Sequence, residues 1–163
     1  MPRFFLNDIK AGSNEVEGED AKHLVKVLRV KIGEKITICD GKRREAEAVV
    51  REIQPQKVLV WVEEWTNSLS EADLCLHLYQ ALPKGDKLEL IVQKAVELGV
   101  TEITPVLTKR CVSRPDEKSM MKKQERLQKI ALEAAKQSGR GIIPKVNKLL
   151  NYTDAINQMR QDD

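Results

Sequence analysis

The chain has 163 residues, enough for one domain or two small ones. Hydrophobic residues make up 41% and aromatics only 4%, so a globular core built mainly from aliphatic side chains is expected. Net charge is +3, and three isolated cysteines (Cys39, Cys75, Cys111) and two histidines argue against a disulfide framework or a zinc site. No apolar run approaches membrane-spanning length, and the N-terminus lacks the apolar segment of a signal peptide. A soluble protein of a reducing cytoplasm, with no metal and no membrane partner, is therefore expected.

In chain order, Met1 to Leu6 reads as a short strand with Phe4 and Phe5 on opposite faces. Glu19-Asp20 opens a short helix at the positive end of its dipole. Leu24, Val27 and Leu28 form its expected buried stripe, with Lys22, Lys26 and Arg29 elsewhere around it. Gly33 turns the chain into a strand from Lys35 to Cys39, and Asp40-Gly41 is a hairpin signal. Arg44 to Ile53 follows, with Ala46, Ala48 and Val50 alternating against Glu45, Glu47 and Val49. After the Gln54-Pro55-Gln56 turn, Lys57 to Trp65 reads as another strand. Several short strands and one helix predict a small β-barrel, with His23 and Trp61 as packing residues. Thr66 to Asp73, polar and without periodicity, reads as a linker.

A different pattern follows. Leu74, Leu76 and Leu78 alternate with Cys75, His77 and Tyr79, the period of a strand, and Tyr79 is expected to pack. Pro83-Lys84-Gly85-Asp86 breaks the run, and Leu88, Ile91, Val92, Ala95 and Val96 then recur on one helical face. Gly99 sits where a left-handed helix cap belongs, with Val100 as its hydrophobic partner. Ile103 to Leu107 is a second strand, which makes a βαβ unit with parallel strands and a right-handed crossover. Ligands of α/β proteins bind at the carboxyl ends of such strands, where Lys84 and Lys109-Arg110 fall. Lys94 and Glu97, away from the apolar face, read as a structural ion pair, with each other or with a neighbouring loop.

Ser113 to Asp116 is a turn into a long helix, started either by Pro115 as first residue or by Asp116 as N-cap. Leu127, Ile130, Ala131 and Ala134 form its apolar stripe, and it ends at Gly139. Ile142, Ile143 and Val146 read as a short third strand around Pro144. Asn151 or Thr153 caps a last helix carrying Ala155, Ile156 and Met159.

Charge is unevenly spread. Lys22 to Arg44 holds eight basic and two acidic residues, and Lys109 to Lys145 holds eleven and four. Such clusters are the electrostatic footprint of a polyanion binder, though solvated helix faces also look like this. Lys84-Gly85-Asp86 is neither a P-loop nor a dinucleotide fingerprint. Ser, Cys and His form no readable nucleophilic constellation, so spacing alone names no reaction.

Leu82-Pro-Lys-Gly-Asp-Lys87, Gln93-Lys-Ala-Val-Glu-Leu-Gly-Val100, Pro105 and Lys109-Arg-Cys-Val112 resemble the bacterial ribosomal RNA small-subunit methyltransferase E family. His23-Leu-Val-Lys-Val-Leu-Arg-Val-Lys-Ile-Gly33, and Glu133-Ala-Ala-Lys-Gln-Ser-Gly-Arg140 with Pro144, extend the resemblance from Met1 to about Val146. It implies a mixed α+β and α/β fold. Residues 1–70 would be a PUA-like RNA-binding barrel, and 71–163 the first part of an α/β SPOUT (knotted) methyltransferase domain with a parallel sheet.

The implied activity is methylation of a uridine at N3 in 16S ribosomal RNA of the small subunit, with S-adenosylmethionine as cofactor and a homodimer as the assembly. Arg110 matches an arginine of the family motif and is the candidate catalytic residue. Its planar pair of donors suits a deprotonated uracil, and a phosphate contact or surface ion pair is the competing reading. Arg3, Lys22, Lys26, Arg29, Lys31, Arg43, Lys84 and Arg140 are the candidate RNA contacts, Arg140 being readable also as a helix-end cation. The family's cofactor site comes from glycine-rich loops downstream of these residues, so no cofactor-binding residue is expected here. The chain then reads as a truncated, inactive form of the enzyme. A stand-alone RNA-binding module is the alternative, and a mononucleotide-binding enzyme is weakened by the missing phosphate loop.

Overall fold

A computed structural model describes residues 1–7 and 9–161. The chain forms two compact units, Met1–Glu71 with Gly139–Ile142, and Ala72–Ser138 with Ile143 onward.

The first unit is built on six strands: β1 (Arg3–Phe5), β2 (Gly12–Glu17), β3 (Lys35–Cys39), β4 (Arg44–Gln54), β5 (Lys57–Val62) and β6 (Thr66–Asn67). Their order is β1-β3-β4-β5-β2, with β6 added to β4. All ladders are antiparallel except β1 on β3. Among the described residues no ladder joins β1 to β2, and the sheet is a curled half-barrel. Strand alternation sends Ile36, Ile38, Ala46, Ala48, Val50, Val58, Val60 and Val62 into one core with Phe4, Val16 and Leu24.

The β3–β4 hairpin turns at Asp40, whose carboxylate accepts from the N–H of Lys42 (2.7 Å) and of Arg44 (3.0 Å). Strand β5 stops at Val62 rather than Trp65, and Trp61 is exposed on its outer side beside Gly12 instead of packing inside. Strand β2 has no counterpart in the hydrophobic pattern because only Asn14 and Val16 of it are buried. Asn14 is satisfied by the carbonyl (2.7 Å) and N–H (2.8 Å) of Lys10.

The helix of this unit departs from expectation. It begins as α1 (Gly18–Lys22) and continues as a π-helical turn over His23–Val27. Here the Leu28 N–H reaches back five residues to the His23 carbonyl, at 3.0 Å. That wider turn shifts the phase of the apolar residues. Ala21 and Leu24 are buried, whereas Val27 and Leu28, expected in the stripe, face solvent. His23 is exposed rather than half-buried, with its ring edge-on to Phe4.

Within residues 66–71, mostly exposed as expected of a linker, Ser68 and Glu71 are nonetheless packed. Ser68 is buried, and Gly141 lies so close that a Cβ there would stand 2.4 Å from the Ser68 Cβ. Glu71 forms a buried ion pair with Arg140, with side chains 3% and 5% exposed. The carboxylate accepts from Arg140 Nη2 (2.8 Å) and Nε (3.3 Å), and from the N–H groups of Gly141 (2.8 Å) and Ile142 (3.0 Å).

The second unit contains β7 (His77–Ala81), α2 (Lys87–Glu97), β8 (Glu102–Leu107), α3 (Glu117–Ser138), β9 (Lys145–Val146), β10 (Leu150–Asn151) and α4 (Tyr152–Met159). Strands β7 and β8 pair in parallel from His77 opposite Glu102 to Ala81 opposite Val106. Strands β9 and β10 pair in parallel with the amino and carboxyl ends of β8, giving the order β10-β8-β7. Leu74 and Leu76 precede β7 and are exposed, so the alternation there is not a strand signal.

Helix α2 buries Leu88, Val92, Ala95 and Val96. It ends in a Schellman cap: Gly99, at φ 101°, donates to the Val96 carbonyl, and Val100 donates to that of Ala95. Asp116, not Pro115, starts α3, its carboxylate accepting from the Ser119 N–H at 2.7 Å. Gln124 and Gln128 of α3 hold the chain at β9 through the carbonyls of Val146 and Pro144 (both 2.9 Å) and the N–H of Val146 (2.9 Å). The third strand begins at Lys145 rather than Ile142, since Ile142 bridges to Lys42 in the first unit. Asn151 caps α4 through the Asp154 N–H.

Burial acts to raise the Glu71 carboxyl pKa, but the hydrogen bonds from Arg140, Ile142 and Gly141 and the Arg140 charge outweigh it and hold the pKa below its ordinary 4.5. A depressed acid stabilises the fold above the unfolded pKa and loses that contribution as pH falls through the folded value. Stability of the first unit should therefore fall as pH drops from about 4.5 through this lowered value, and Glu71→Gln should flatten that slope in denaturant melts. Glu71→Ala, which strands the buried guanidinium, should cost about 3–5 kcal/mol.

Candidate functional site

Two surfaces carry the residues singled out by the sequence. On the first unit, the α1 helix and the turn after it present Lys22, Lys26, Arg29 and Lys31, all exposed. Lys22 pairs with Glu19 at 2.6 Å, an exposed contact of small value. Lys26, Arg29 and Lys31 make no ion pair among the described residues. Arg29 takes a left-handed conformation at φ 51°, which is uncommon for a side-chain-bearing residue.

Three other candidates are engaged within the first unit. The Arg3 guanidinium lies 2.6 Å from Glu45, 2.9 Å from the Cys39 sulfur and 3.3 Å from the Arg140 carbonyl. Arg140 is the buried partner of Glu71, so neither an open RNA contact nor a helix-end cation describes it. In both cases the arginine lies against a carboxylate of its own unit, half-buried Glu45 for Arg3 and buried Glu71 for Arg140. Arg43 is half-buried with its backbone tied on both sides, its N–H to the Gly141 carbonyl (3.3 Å) and its carbonyl to the Ser68 N–H (2.7 Å).

On the second unit, the carboxyl ends of β7 and β8 carry the loops expected to face a ligand. Lys84 is exposed in the first loop, and Lys109 and Arg110 are exposed in the second. Arg110 makes no ion pair among the described residues. Lys94 pairs with Glu97 at 2.7 Å on the outer side of α2, as a surface ion pair.

Cys111 ties this edge together, a role no sequence motif signalled. Its sulfur meets the Thr108 N–H and hydroxyl, both at 3.3 Å, beneath the exposed Lys109-Arg110 turn. The Thr108 hydroxyl above all holds its thiol pKa below the ordinary value against the opposing effect of burial, helped by the N–H groups of Thr108 and Leu82 and the charge of Arg114. Cys39 is the opposite case: burial pushes its thiol up to about 11 despite the nearby Arg3.

A polar network crosses β7, β8 and the segment after β9. His77 Nε2 lies 2.7 Å from Thr104 Oγ1, and Asn147 donates to Thr104 (2.8 Å) and Glu102 (2.6 Å). Tyr79 packs its ring against His77 at 4.0 Å between centroids. Among the described residues no three His, Cys, Asp or Glu side chains form a metal-binding group, and no helix is long and apolar enough to cross a membrane.

The pattern of the RNA methyltransferase domain family matches residues 70–163, and that of the RNA methyltransferase PUA domain matches residues 16–62. Fold and site thus define a class, an RNA-methyltransferase domain preceded by a PUA domain. Ribosomal RNA small subunit methyltransferase E of Bacillus subtilis is 36% identical, over all of this chain and 66% of its own length. A second such protein, from Borreliella burgdorferi, is 30% identical over 93% of the chain and 63% of its own length. The chain therefore spans just under two thirds of the length of these curated relatives.

Among solved structures, the methyltransferase E of Neisseria gonorrhoeae bound to S-adenosylmethionine superposes with a TM-score of 0.86 at 33% identity, covering 98% of this chain and 66% of its own. A methyltransferase of Legionella pneumophila, also holding S-adenosylmethionine, gives 0.83 at 30% identity, covering 96% and 65%. The chain belongs to the ribosomal RNA small subunit methyltransferase E family.

Thr108→Val removes the hydroxyl that lowers the Cys111 thiol, so alkylation of Cys111 should shift to higher pH. Mass spectrometry of iodoacetamide-treated protein across pH, read residue by residue, measures this shift. Cys39, buried and raised, should stay unmodified until well above pH 8 and serve as the internal reference.

Proposed function

We propose that the chain supplies the RNA-engaging surface and the catalytic arginine of an enzyme that methylates a uridine at N3 in 16S ribosomal RNA. The observation that carries this reading is the pairing of two features in one chain. Among the described residues, a PUA-domain match bears exposed cations that make no ion pair, and an RNA-methyltransferase-domain match presents an exposed Arg110 that makes none, at the carboxyl edge of its parallel sheet. The names of the relatives support ribosomal RNA as the substrate class, and the two neighbours solved with S-adenosylmethionine support that cofactor. The family resemblance adds a homodimeric assembly.

S-adenosylmethionine supplies an electrophilic methyl group when bound. The residues described here do not make a complete site for it. An adenosine and a methionine moiety need a largely enclosed cleft, whereas the loops at 83–86 and 108–110 are mostly exposed. Gly85 has open space where a Cβ would stand rather than a close backbone cradle. This observation favours a second reading, in which residues 1–163 by themselves act as an RNA-binding module.

Arg110 acts on the uracil ring. Loss of the N3 proton spreads negative charge onto the flanking carbonyl oxygens, and a guanidinium donates a planar pair of hydrogen bonds to such an anion while remaining charged. Lys84, on the neighbouring loop, is a point charge for an RNA phosphate.

In the whole enzyme, Arg110→Ala should lower the single-turnover methylation rate roughly a hundredfold or more, as loss of one oxyanion donor does, with little change in RNA affinity. If affinity falls while the rate at saturation holds, Arg110 is a phosphate contact. Titration calorimetry of residues 1–163 with S-adenosylmethionine should show no saturable heat at micromolar concentrations. Saturable binding there would give these residues a complete cofactor site and remove the second reading.

A further inference from the structure

The π-helical turn leaves Val27 and Leu28 exposed and the next turn exposes Ile32, and we propose that these three form a wedge that contacts bases and riboses of unpaired RNA nucleotides. Lys26, Arg29 and Lys31 then hold the adjoining phosphates. The proposal rests on the RNA-binding reading above and adds the kind of RNA this surface takes, a strand with splayed bases rather than a continuous duplex.

The three side chains are 69%, 42% and 66% exposed, although they interrupt a stretch otherwise anchored in the core. Leu24 and Val30 are buried on either side of the turn. The Leu28 N–H bonds to the His23 carbonyl (3.0 Å), and the Val30 N–H to the Leu24 carbonyl (3.1 Å). The chain is thus closed beneath the exposed residues, and Arg29 is kept at φ 51°. Both a π-turn and a left-handed non-glycine residue cost conformational energy and cluster where a surface has work to do. Val27 and Leu28 are thus exposed where the backbone departs from the α-helix.

Charge identifies the occupant. No acidic residue occurs between Ala21 and Gly33, and among the described residues Lys26, Arg29 and Lys31 make no ion pair, Glu19 giving Lys26 only a weaker attraction beside its own pair with Lys22. A second copy of the same face would bring like charges together without neutralising them. A phosphate backbone satisfies the cations but gives the apolar groups nothing, whereas base faces and riboses do. An A-form duplex hides its base faces in the stack, and its major groove is too deep and narrow for side chains. Unpaired nucleotides offer base faces beside phosphates, and aliphatic wedges between bases are a known use of Leu and Ile. The one ring of the turn, His23, is set edge-on to Phe4, so for the aliphatic groups the contact is insertion and van der Waals contact rather than ring stacking.

The test is equilibrium binding of residues 1–163 to two labelled RNA hairpins of equal length and charge, one with an unpaired bulge and one fully paired, across a range of salt. The wild-type chain should prefer the bulged RNA. Val27→Ser/Leu28→Ser/Ile32→Ser should weaken binding to the bulged RNA by about tenfold or more, remove the preference and leave the salt slope unchanged. Lys26→Ala and Arg29→Ala should each lower the slope by about 0.7 to 0.9 on both RNAs. Since all three apolar positions are exposed, melting temperature should hold, and Leu28→Ala alone should show the same trend in smaller measure. If the wild-type chain binds neither RNA, the RNA-binding reading itself fails and the wedge with it. If it binds RNA and the triple variant keeps wild-type affinity and preference, the wedge is overturned while the RNA-binding reading stands. If the triple variant instead abolishes a dimer seen by sedimentation and leaves RNA binding unchanged, the face belongs to a second copy and the proposal is overturned.

Discussion

Glu71 is a carboxylate taken out of water, and a buried charge is tolerated only when paired and hydrogen-bonded. Four donors meet it, two from the Arg140 guanidinium and two from the backbone of Gly141 and Ile142. To bring them there, the segment after α3 must pack within the first unit, with Gly141 against Ser68 where no Cβ fits. The Arg140 carbonyl then accepts from Arg3, whose guanidinium also holds Glu45. A chain of satisfied charges thus joins the end of the sheet, the segment after it and a piece of chain from beyond residue 138.

This arrangement decides which cations are left for a polyanion. Arg3 and Arg140 look, as residues, like any other arginines of a basic protein, but their charge is used internally. Lys26, Arg29 and Lys31 are exposed and make no ion pair among the described residues, and exposed Lys22 gives little to its surface partner. The exposed positive charge of the first unit without an ion pair among the described residues therefore includes one irregular turn but not the whole basic stretch from Lys22 to Arg44. Val27 and Leu28 at that turn, and Ile32 in the short turn that follows buried Val30, add exposed apolar surface beside these cations.

At the parallel sheet the constraint is of another kind. Strands β7 and β8 must end together for their loops to share an edge, and the Leu82 N–H donates to the Val106 carbonyl at 3.0 Å as they do. Cys111 closes the second loop on itself through Thr108, so Lys109 and Arg110 project from a turn with an internal tie. An arginine that is to donate to a developing anion gains from such a base, because less of its freedom is lost when the ligand arrives.

Much of the architecture was legible in the residues because its signals are local. Alternation placed Ala46, Ala48 and Val50 in the core, Asp40-Gly41 marked the hairpin, and Gly99 with Val100 marked the cap of α2. The motifs from Leu82 to Val112 carried the family. The edge strand β2 was not legible, since an edge strand buries few side chains and leaves little apolar pattern. Nor was the π-turn, because nothing in His23-Leu-Val-Lys-Val27 distinguishes a step of five residues from one of four. Only the tertiary structure decided the fates of Arg3, Arg140, Val27 and Leu28. A sequence records that a cation or an aliphatic group is present, but whether it faces water depends on partners such as Glu71, which stands 69 residues from Arg140, and on the phase of the backbone that carries it.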